Sequence, residues 1–318
     1  MPRTTGTGSL TFKHRPIALP PQMRGHLDGA HSAFAPDREV DGGDGSTWFS
    51  LKGVGLLRLG PDLSQIEVIG GDARLVEGNI HGATIVRHEA GTFLALASND
   101  AETVWLTDNS GRVIRSFANP YGIGGSPFNV CDVAFADETL FAANGYADNV
   151  CFSCDPFHGQ EGDATIGVWG PLRFGGNGTE HGRFGTAHGI TRVPDTNALI
   201  VADRANARLE SFTPKGRFVG GLALPPGSMP CNVDFYDRFA LVPCLRGPGD
   251  STPAPIYVFE DGNLVSEINI GRDLGLDRFT HIHNAVFRVI DNPDGSRQFF
   301  ILAYAWNPGD LAILEQVS

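Results

Sequence analysis

The chain has 318 residues, and its 36 acidic side chains against 24 lysines and arginines give a formal net charge of -12 at pH 7. This charge argues against a nucleic-acid or anionic-membrane partner, because no basic stripe is available to meet phosphates. No apolar run approaches the roughly 18 residues that a membrane-spanning helix needs, so we expect no membrane partner.

The composition predicts a packed chain of many short strands. Hydrophobic residues make up 41% of the sequence, and its 41 glycines and 21 prolines follow no Gly-X-Y period. The segment from Met1 to Leu10 is polar and lacks the apolar region of a signal peptide, so we expect a cytoplasmic protein. Arginine greatly outnumbers lysine, which is typical of a GC-rich bacterial genome.

Six segments open with a histidine or cysteine, followed by a small or polar residue and an alternating apolar strand. They start near residues 31, 81, 131, 188, 231 and 283. A period of about 50 residues with several strands per unit is typical of propeller blades. Further apolar strands follow within the units, separated by turns rich in Gly, Asn and Asp. The sequence therefore predicts an all-β, six-bladed β-propeller that forms one domain over residues 1–318.

The last unit ends after three strands, so its fourth strand is missing. Residues 9–18 near the N-terminus are strand-like and belong to no other unit. We expect this segment to supply the outer strand of the last blade, which closes the ring and removes exposed edges. The alternative is an unstructured tail.

The six lead positions read His31, His81, Cys131, His188, Cys231 and His283. Residues that start the innermost strands point at the mouth of the central channel, where an ordinary propeller carries small or apolar residues. Histidines 81, 188 and 283 lie on alternate blades, so they can converge on the axis from three directions. A catalytic zinc takes three protein ligands and keeps an open position.

We therefore predict a divalent metal bound by these three histidines, with zinc first and iron, copper or manganese as alternatives. His31 is either a fourth ligand or a catalytic acid or base facing the substrate. The competing interpretation is a set of core histidines that hydrogen-bond across the channel.

The chain has five cysteines, an odd number at low density, which does not indicate a disulfide framework. We expect Cys131 and Cys231 to lie in the channel wall. A bond between Cys231 and Cys244 stays open as an alternative. Cys151 and Cys154 form a lone CxxC, which by itself is weak support for a metal site.

Loops that leave the second strand of each blade return to the same face as the lead histidines. They carry Tyr146, Arg204 and Arg246. The two arginines could clamp a carboxylate, and a tyrosine near a metal could have a lowered pKa and act as a base. The alternative for each residue is a surface or structural role.

Two phrases resemble a known family. They are the Asn144–Asn149 segment around Tyr146 and the Val201–Leu209 segment around Arg204. Together they resemble NHL-repeat propellers and, more closely, peptidyl-hydroxyglycine alpha-amidating lyases. That resemblance implies a six-bladed propeller, a zinc held by three histidines, and cleavage of the N–C bond of an α-hydroxyglycine to give an amide and glyoxylate.

By this resemblance His81, His188 and His283 match the zinc ligands, Tyr146 matches the base, and Arg204 matches the arginine beside the metal. The family has an aspartate after its third histidine that also serves a structural calcium. This chain has Asn284 there, and the lost charge argues against calcium. The resemblance is close over about residues 78–220 and near residue 283, and a peptide substrate is not carried over.

The first functional hypothesis is a metal-dependent lyase, or a hydratase or dehydratase, acting on a small hydroxylated and anionic substrate. The second is a metal-dependent hydrolase such as a lactonase of the six-bladed gluconolactonase type, although those enzymes use mainly carboxylate and Asn ligands. The third is a non-enzymatic NHL-type binding scaffold. The sequence pattern specifies no oligomeric state.

Overall fold

A computed structural model describes residues 3–292 and 294–317, and it shows six small, mostly antiparallel sheets arranged in a ring. From the inner strand outward, blade 1 contains Ala35–Pro36, Thr47–Leu51, Gly55–Leu59 and Ile66–Gly70. Blade 2 contains Ile80–His88, Gly91–Ser98, Thr103–Thr107 and Val113–Ala118. Blade 3 contains Asp132–Ala136, Thr139–Ala143, Val150–Cys154 and Arg173–Gly175.

Blade 4 contains Ala187–Arg192, Leu199–Asp203, Arg208–Phe212 and Phe218–Ala223. Blade 5 contains Asp234–Tyr236, Phe239–Pro243, Ile256–Glu260 and Asn263–Ile268. Blade 6 contains His281–Asp291, Arg297–Trp306, Gly309–Gln316 and Leu10–Arg15. The six-bladed propeller predicted from the period is confirmed.

The N-terminal segment closes the ring. Leu10–Arg15 pairs antiparallel with Gly309–Gln316, with Phe12 opposite Gln316 and Arg15 opposite Ile313. The predicted outer strand of the last blade is therefore confirmed. A further strand, Thr4–Thr7, adds a fifth member to that sheet, and the Thr7 amide donates to Ser266 of blade 5. The sequence pattern does not indicate this strand.

An insertion explains why the step from blade 3 to blade 4 is longest. Between the third and fourth strands of blade 3, a hairpin of Gly159–Gln160 and Asp163–Gly167 leaves the blade and joins the outer edge of blade 2. Two short α-helices, Ala73–Glu77 and Ile270–Leu274, lie in connections. Single-turn 3-10 helices occur at Pro21–Met23, Glu39–Asp41, Arg204–Asn206 and Pro248–Asp250. Among the described residues, no helix is both long and apolar enough to cross a bilayer.

The hydrophobic core lies between neighbouring blades. Between blades 5 and 6, for example, the fully buried Phe12, Phe287 and Ile301 pack in one cluster with Leu241 and Ile256. Burying each such side chain contributes about 1.5–3 kcal/mol. These interfaces hold adjacent inner strands in register, which positions the residues that line the axis.

All five cysteines are free and buried, so the alternative of a Cys231–Cys244 disulfide is not formed in this structure. Cys151 packs into the cluster between blades 3 and 4, whereas Cys154 packs into the cluster between blades 2 and 3. The two thiols of the CxxC therefore lie on opposite faces of one strand and do not form a metal-binding pair.

Candidate metal centre on the propeller axis

Each of the three histidines on alternate blades sits at an irregularity of its inner strand. The pairing register shifts between Ile80 and Gly82, between Ala187 and Gly189, and between Ile282 and Asn284. The residue skipped in each case is the histidine. A bulge of this kind turns one side chain away from the regular alternation of the strand. The same backbone feature thus directs His81, His188 and His283 toward the axis.

The Nδ1 atoms of these histidines bond to the neighbouring blades. His81 Nδ1 lies 2.7 Å from the Cys131 carbonyl oxygen, and His188 Nδ1 lies 2.6 Å from that of Cys231. His283 Nδ1 lies 3.2 Å from the carbonyl oxygen of Ser32. A carbonyl oxygen only accepts hydrogen bonds, so Nδ1 must carry the ring hydrogen in all three residues. Each neutral imidazole therefore presents an unprotonated Nε2.

Glycine after the first two histidines permits this close approach. A β-carbon at Gly82 would collide with Asp132, and one at Gly189 would collide with the backbone of Cys231. Larger residues would push the inner strands of adjacent blades apart and break the bonds to the carbonyls. Packing at the axis thus explains why glycine follows both His81 and His188.

Two of the three Nε2 atoms, those of His81 and His283, lie close together. His81 Nε2 and His283 Nε2 are 3.1 Å apart, and the ring centroids of His188 lie 4.8 Å and 5.3 Å from those of His81 and His283. Two unprotonated nitrogens at this distance repel each other unless a cation lies between them. Zinc–nitrogen bonds of about 2.0–2.1 Å in tetrahedral geometry place ligand nitrogens about 3.3 Å apart. The Nε2 atoms of His81 and His283 therefore fit two ligand positions of one metal ion, and the His188 ring lies against both of these rings.

Burial supports the same protonation state. His81, His188 and His283 are only 2–3% exposed. Burial lowers the pKa of each of the three imidazoles well below its usual range, because the charged form loses its hydration. At neutral pH these side chains are therefore uncharged imidazoles, the form in which histidine binds metals.

His31 joins the cluster from blade 1. A ring nitrogen of His31 lies within 4.8 Å of ligand nitrogens of both His81 and His283, so these three residues form a cluster that could hold a metal ion. Its ring stacks on His81 at a centroid distance of 4.7 Å and on Trp306 at 5.4 Å. Burial lowers the pKa of His31 to about 4. The structure thus places four imidazoles at the axis, His188 being the one outside this closest group.

The Tyr146 hydroxyl points into the histidine cluster, although the residue as a whole is 40% exposed. Its oxygen lies 2.9 Å from His188 Nε2 and 3.3 Å from His81 Nε2. Because His188 Nε2 has no hydrogen, the phenol donates to it. Burial raises the pKa of Tyr146 to about 12, while the charge of Arg204 acts in the opposite direction. The protein's own groups therefore do not lower the pKa of Tyr146, contrary to the expectation from the sequence. A lowered Tyr146 pKa would require the charge of a bound cation.

Arg204 lies beside this tyrosine. Its Nη1 donates to the Tyr146 oxygen at 3.2 Å, and its Nη2 donates to the Cys231 sulfur at 3.5 Å. The Arg204 Nε is buried without a hydrogen-bond partner, and no carboxylate among residues 3–292 and 294–317 pairs with the guanidinium. A guanidinium that is partly buried and has no counter-charge is costly, so this position favours an anionic ligand.

Hydrogen bonds hold the Arg204 and Tyr146 loops rigidly. The fully buried Asp203 accepts from the Gly185 amide, from Asn206 and from Arg208. Asn149 accepts from the Ala187 amide at 2.8 Å, which fixes the residue before His188. Most polar residues of the Asn144–Asn149 and Val201–Leu209 segments therefore stabilise the local backbone. One side chain in each segment, Tyr146 and Arg204, faces the histidine cluster.

The other predicted site residues lie farther out. Both carboxylate oxygens of Asp250 accept from Arg246 Nη1 at 2.6 Å, and the Arg246 side chain is 41% exposed. The expected clamp of two arginines is therefore not assembled here. Cys131 donates weakly to the Asn129 carbonyl, and burial raises its pKa to about 12. Both Cys131 and Cys231 occupy the channel wall as expected.

A surface pocket of about 460 Å³ adjoins the cluster through His31. Its wall includes His26, Lys52, Asn79 and Asp100, and Lys52 pairs with Asp100 at 2.9 Å. The sequence pattern did not single out Asn79, which no repeat position marks. A second cavity of about 390 Å³ occupies the opposite part of the channel, lined by the inner strands and by the loop that carries Arg38 and Asp41.

No protein-family model matches the sequence, and no curated protein matches it. Among solved structures, the chain superposes on a gluconolactonase from Xanthomonas campestris with a TM-score of 0.59 and 14% identity, covering 98% of this chain and 94% of the other. A streptogramin B lyase matches with a TM-score of 0.56 and 11% identity, over 98% and 97% of the two chains. A chain of the mitotic checkpoint complex matches at 0.55 and 11%, over 96% of each. At identities this low, the superpositions support the propeller fold only, and any function must be argued from the residues of the site.

Proposed function

We propose that this propeller is a metal-dependent lyase that acts on a small, hydroxylated and anionic substrate. The ion would be held by His81, His188 and His283, with zinc as the first choice. The observation that carries the proposal is the 3.1 Å separation of the Nε2 atoms of His81 and His283, whose Nδ1 hydrogens are both committed to carbonyls. Core histidines that simply bond across a channel would place a hydrogen between the two nitrogens.

When bound, the metal would supply Lewis-acid polarisation of a substrate hydroxyl or carbonyl oxygen. The chain's own residues then account for the remaining chemistry. Tyr146 has its hydroxyl against two of the three Nε2 atoms, so it is placed beside any oxygen that approaches the cluster. Arg204 donates to that tyrosine oxygen and thereby stabilises its phenolate form.

In the proposed reaction Tyr146 would start as a phenolate, the form that Arg204 and the charge of a bound cation favour, and its oxygen takes the proton of the substrate hydroxyl. The carbon that carried the hydroxyl becomes a carbonyl carbon, and its bond to a neighbouring nitrogen or oxygen breaks. The electron pair of that bond leaves with the departing group, which then needs a proton that Tyr146 can return. Hydration and dehydration use the same groups, so the class includes hydratases and dehydratases.

Arg204 supports an anionic substrate. Its guanidinium is at the site, has one buried donor free, and has no carboxylate partner in the described chain. Carboxylates and phosphates match the fork of an arginine. Arg246 could add a second contact only if its pair with Asp250 opens, so its role in substrate binding stays a prediction.

The resemblance to alpha-amidating lyases and NHL-repeat propellers supports the same assignment. It pairs the three histidines, Tyr146 and Arg204 with the functional groups of that family, and all five lie within one cluster here. We extend the proposal to cleavage next to an α-hydroxyl group and not to a peptide substrate. The streptogramin B lyase among the structural neighbours shows that the same architecture accommodates a lyase.

The second candidate function is a metal-dependent hydrolase of the lactonase type. It is favoured by the gluconolactonase among the structural neighbours and by the wide pocket of about 460 Å³ beside His31, which gives water access to the site. The same cluster could then activate a water molecule instead of a substrate hydroxyl.

Both candidates are tested by one assay. Protein reloaded with Zn²⁺ is incubated in ¹⁸O-labelled water with α-hydroxyglycine derivatives, hydroxy acids and lactones. The lyase proposal expects cleavage without ¹⁸O entering the acyl product, loss of turnover after chelation, and recovery with Zn²⁺. Label in the product assigns a hydrolase. Arg204→Gln should lose most activity. The activity of the matched Arg246→Gln variant tests whether the outer arginine, which pairs with Asp250, contributes to turnover.

Turnover that survives complete metal removal would contradict both functions.

A further inference from the structure

His31 differs from the other three histidines in what its Nδ1 contacts. The partner of His31 Nδ1 is the side-chain amide nitrogen of Asn79, at 3.0 Å. The partners of the other three Nδ1 atoms are backbone carbonyl oxygens. An amide nitrogen donates and a carbonyl oxygen accepts, so the two contacts demand opposite ring tautomers.

The orientation of the Asn79 amide is determined by its other bonds. Its Oδ1 accepts from the backbone amide of His31 at 3.3 Å, which only an oxygen can do. Its Nδ2 has two hydrogens, and the second is donated to the Asn99 Oδ1 at 3.0 Å. The Asn79 backbone is held by Asp100, which accepts from the Asn79 amide at 3.0 Å. Every polar atom of the Asn79 side chain is thus used in one orientation.

We propose that Asn79 holds His31 in the tautomer that carries its hydrogen on Nε2, so that His31 serves as a hydrogen-bond donor to an anionic oxygen of the substrate and not as a fourth metal ligand. This inference rests on the proposed function for the identity of the acceptor. Asn79 is then a positioning residue, and His31 is the residue that touches substrate. The site combines three unprotonated Nε2 atoms with one N–H group.

The surroundings of His31 are consistent with this role. Its ring orientation is restricted by stacking against both His81 and Trp306. Because Nδ1 accepts from the Asn79 amide, the ring has its one hydrogen on Nε2. Within residues 3–292 and 294–317, nothing accepts a hydrogen bond from the His31 Nε2, and the residue lines the pocket of about 460 Å³.

A donor at this place has a chemical purpose. A fourth imidazole ligand would fill the position that a catalytic metal keeps open for substrate. An N–H group instead stabilises charge that develops on a substrate oxygen. Together with the unpaired Arg204, it gives the site two donors for an anion, which narrows the substrate class to hydroxylated carboxylates or their close analogues.

The tautomer can be measured directly in metal-free protein. Two-bond ¹H–¹⁵N correlations of ¹⁵N-histidine-labelled protein distinguish the two neutral forms. We expect the Nε2–H form for His31 and the Nδ1–H form for His81, His188 and His283. Assignment by His31→Gln removes one set of signals. A His31 that shows the Nδ1–H form overturns the proposal, whatever the fate of the metal centre.

Two isosteric variants then separate tautomer from charge. Asn79→Asp replaces the donor to His31 Nδ1 with a carboxylate that accepts from it, so the hydrogen should move to Nδ1 and free Nε2 for coordination. Asn99→Asp adds the same charge one contact away but still accepts from Asn79. We expect Zn²⁺ affinity to rise about 10–100-fold in Asn79→Asp alone, with the change in tautomer visible by NMR.

Equal gains in the two variants would assign the effect to charge and overturn the proposal, as would an Asn79→Asp protein whose His31 keeps the Nε2–H form. If Asn79→Asp does not fold, the spectrum of the unmodified protein still decides. Failure of unmodified protein to bind Zn²⁺ would sink the proposed function, while the tautomer result stands separately.

Discussion

Removing the Tyr146 hydroxyl should strengthen metal binding while it abolishes catalysis. In the metal-free site the phenol donates to His188 Nε2 at 2.9 Å, and its oxygen also lies 3.3 Å from His81 Nε2. A metal ion must displace the first of these bonds to reach the His188 lone pair. Tyr146→Phe removes this competition. One neutral hydrogen bond has a net value of about 0.5–1.5 kcal/mol, which corresponds to a gain of about twofold to tenfold in Zn²⁺ affinity.

The assay is competition between protein and a chromophoric chelator for Zn²⁺. A matched control is Tyr257→Phe, which removes a buried hydroxyl whose contact is Ser228 and lies outside the cluster. That control should leave affinity unchanged. Turnover of Tyr146→Phe should fall about 100-fold to 10,000-fold, the usual contribution of a positioned acid or base.

A loss of affinity in Tyr146→Phe would refute the reasoning, because it would make the phenol a ligand. Unchanged turnover would remove Tyr146 from the mechanism. Tighter binding with weaker catalysis is the combination that a purely structural tyrosine does not produce.

Two further predictions concern the other end of the channel. Arg38 reaches from blade 1 to Asp234 of blade 5 at 2.6 Å, with 14% and 8% of the two side chains exposed, so Arg38→Met should lower the free energy of unfolding by about 3 kcal/mol in urea titrations. The exposed pair of Arg238 and Glu260 is the control, and Arg238→Met should cost less than about 1 kcal/mol; equal effects would contradict the argument. Burial raises the pKa of Asp132 to about 8, above its unfolded value, so the folded state holds a proton that the unfolded state releases. Stability of the native protein should therefore fall, relative to Asp132→Asn, by about 4 kcal/mol between pH 5 and pH 8, and no relative change over that range would show that the carboxylate is ionised in the fold.

The sequence was most informative where a repeat constrained it. Six equivalent lead positions and an unassigned strand near the N-terminus were enough to predict the blade number and the closure by Leu10–Arg15, because edge strands must be paired. The hairpin at Gly159–Gly167 was not predicted, since it leaves its own blade and pairs with another. The lengthened step between blades 3 and 4 was its only signal.

Within the site, equivalence of position again carried the prediction. The sequence picked out His81, His188 and His283 by their shared place, and the structure brings their rings together. The bulges that turn these side chains inward leave no mark in a hydrophobic pattern. Arg246 matched Arg204 in its position within the blade, yet a nearby Asp250 binds it at the surface. Asn79 was not predicted because its proposed role depends on the orientation of its side-chain amide toward His31, which a sequence pattern does not show.

The most direct test of the account is the metal content of four variants. Protein purified with Zn²⁺ and dialysed against a weak chelator should hold one ion per chain, and His81→Ala, His188→Ala and His283→Ala should each lose it. The control is His281→Ala, which lies on the same strand as His283 but bonds to the Leu245 carbonyl, and it should keep the ion. Full occupancy in His188→Ala, or none in the unmodified protein, would contradict a three-histidine centre.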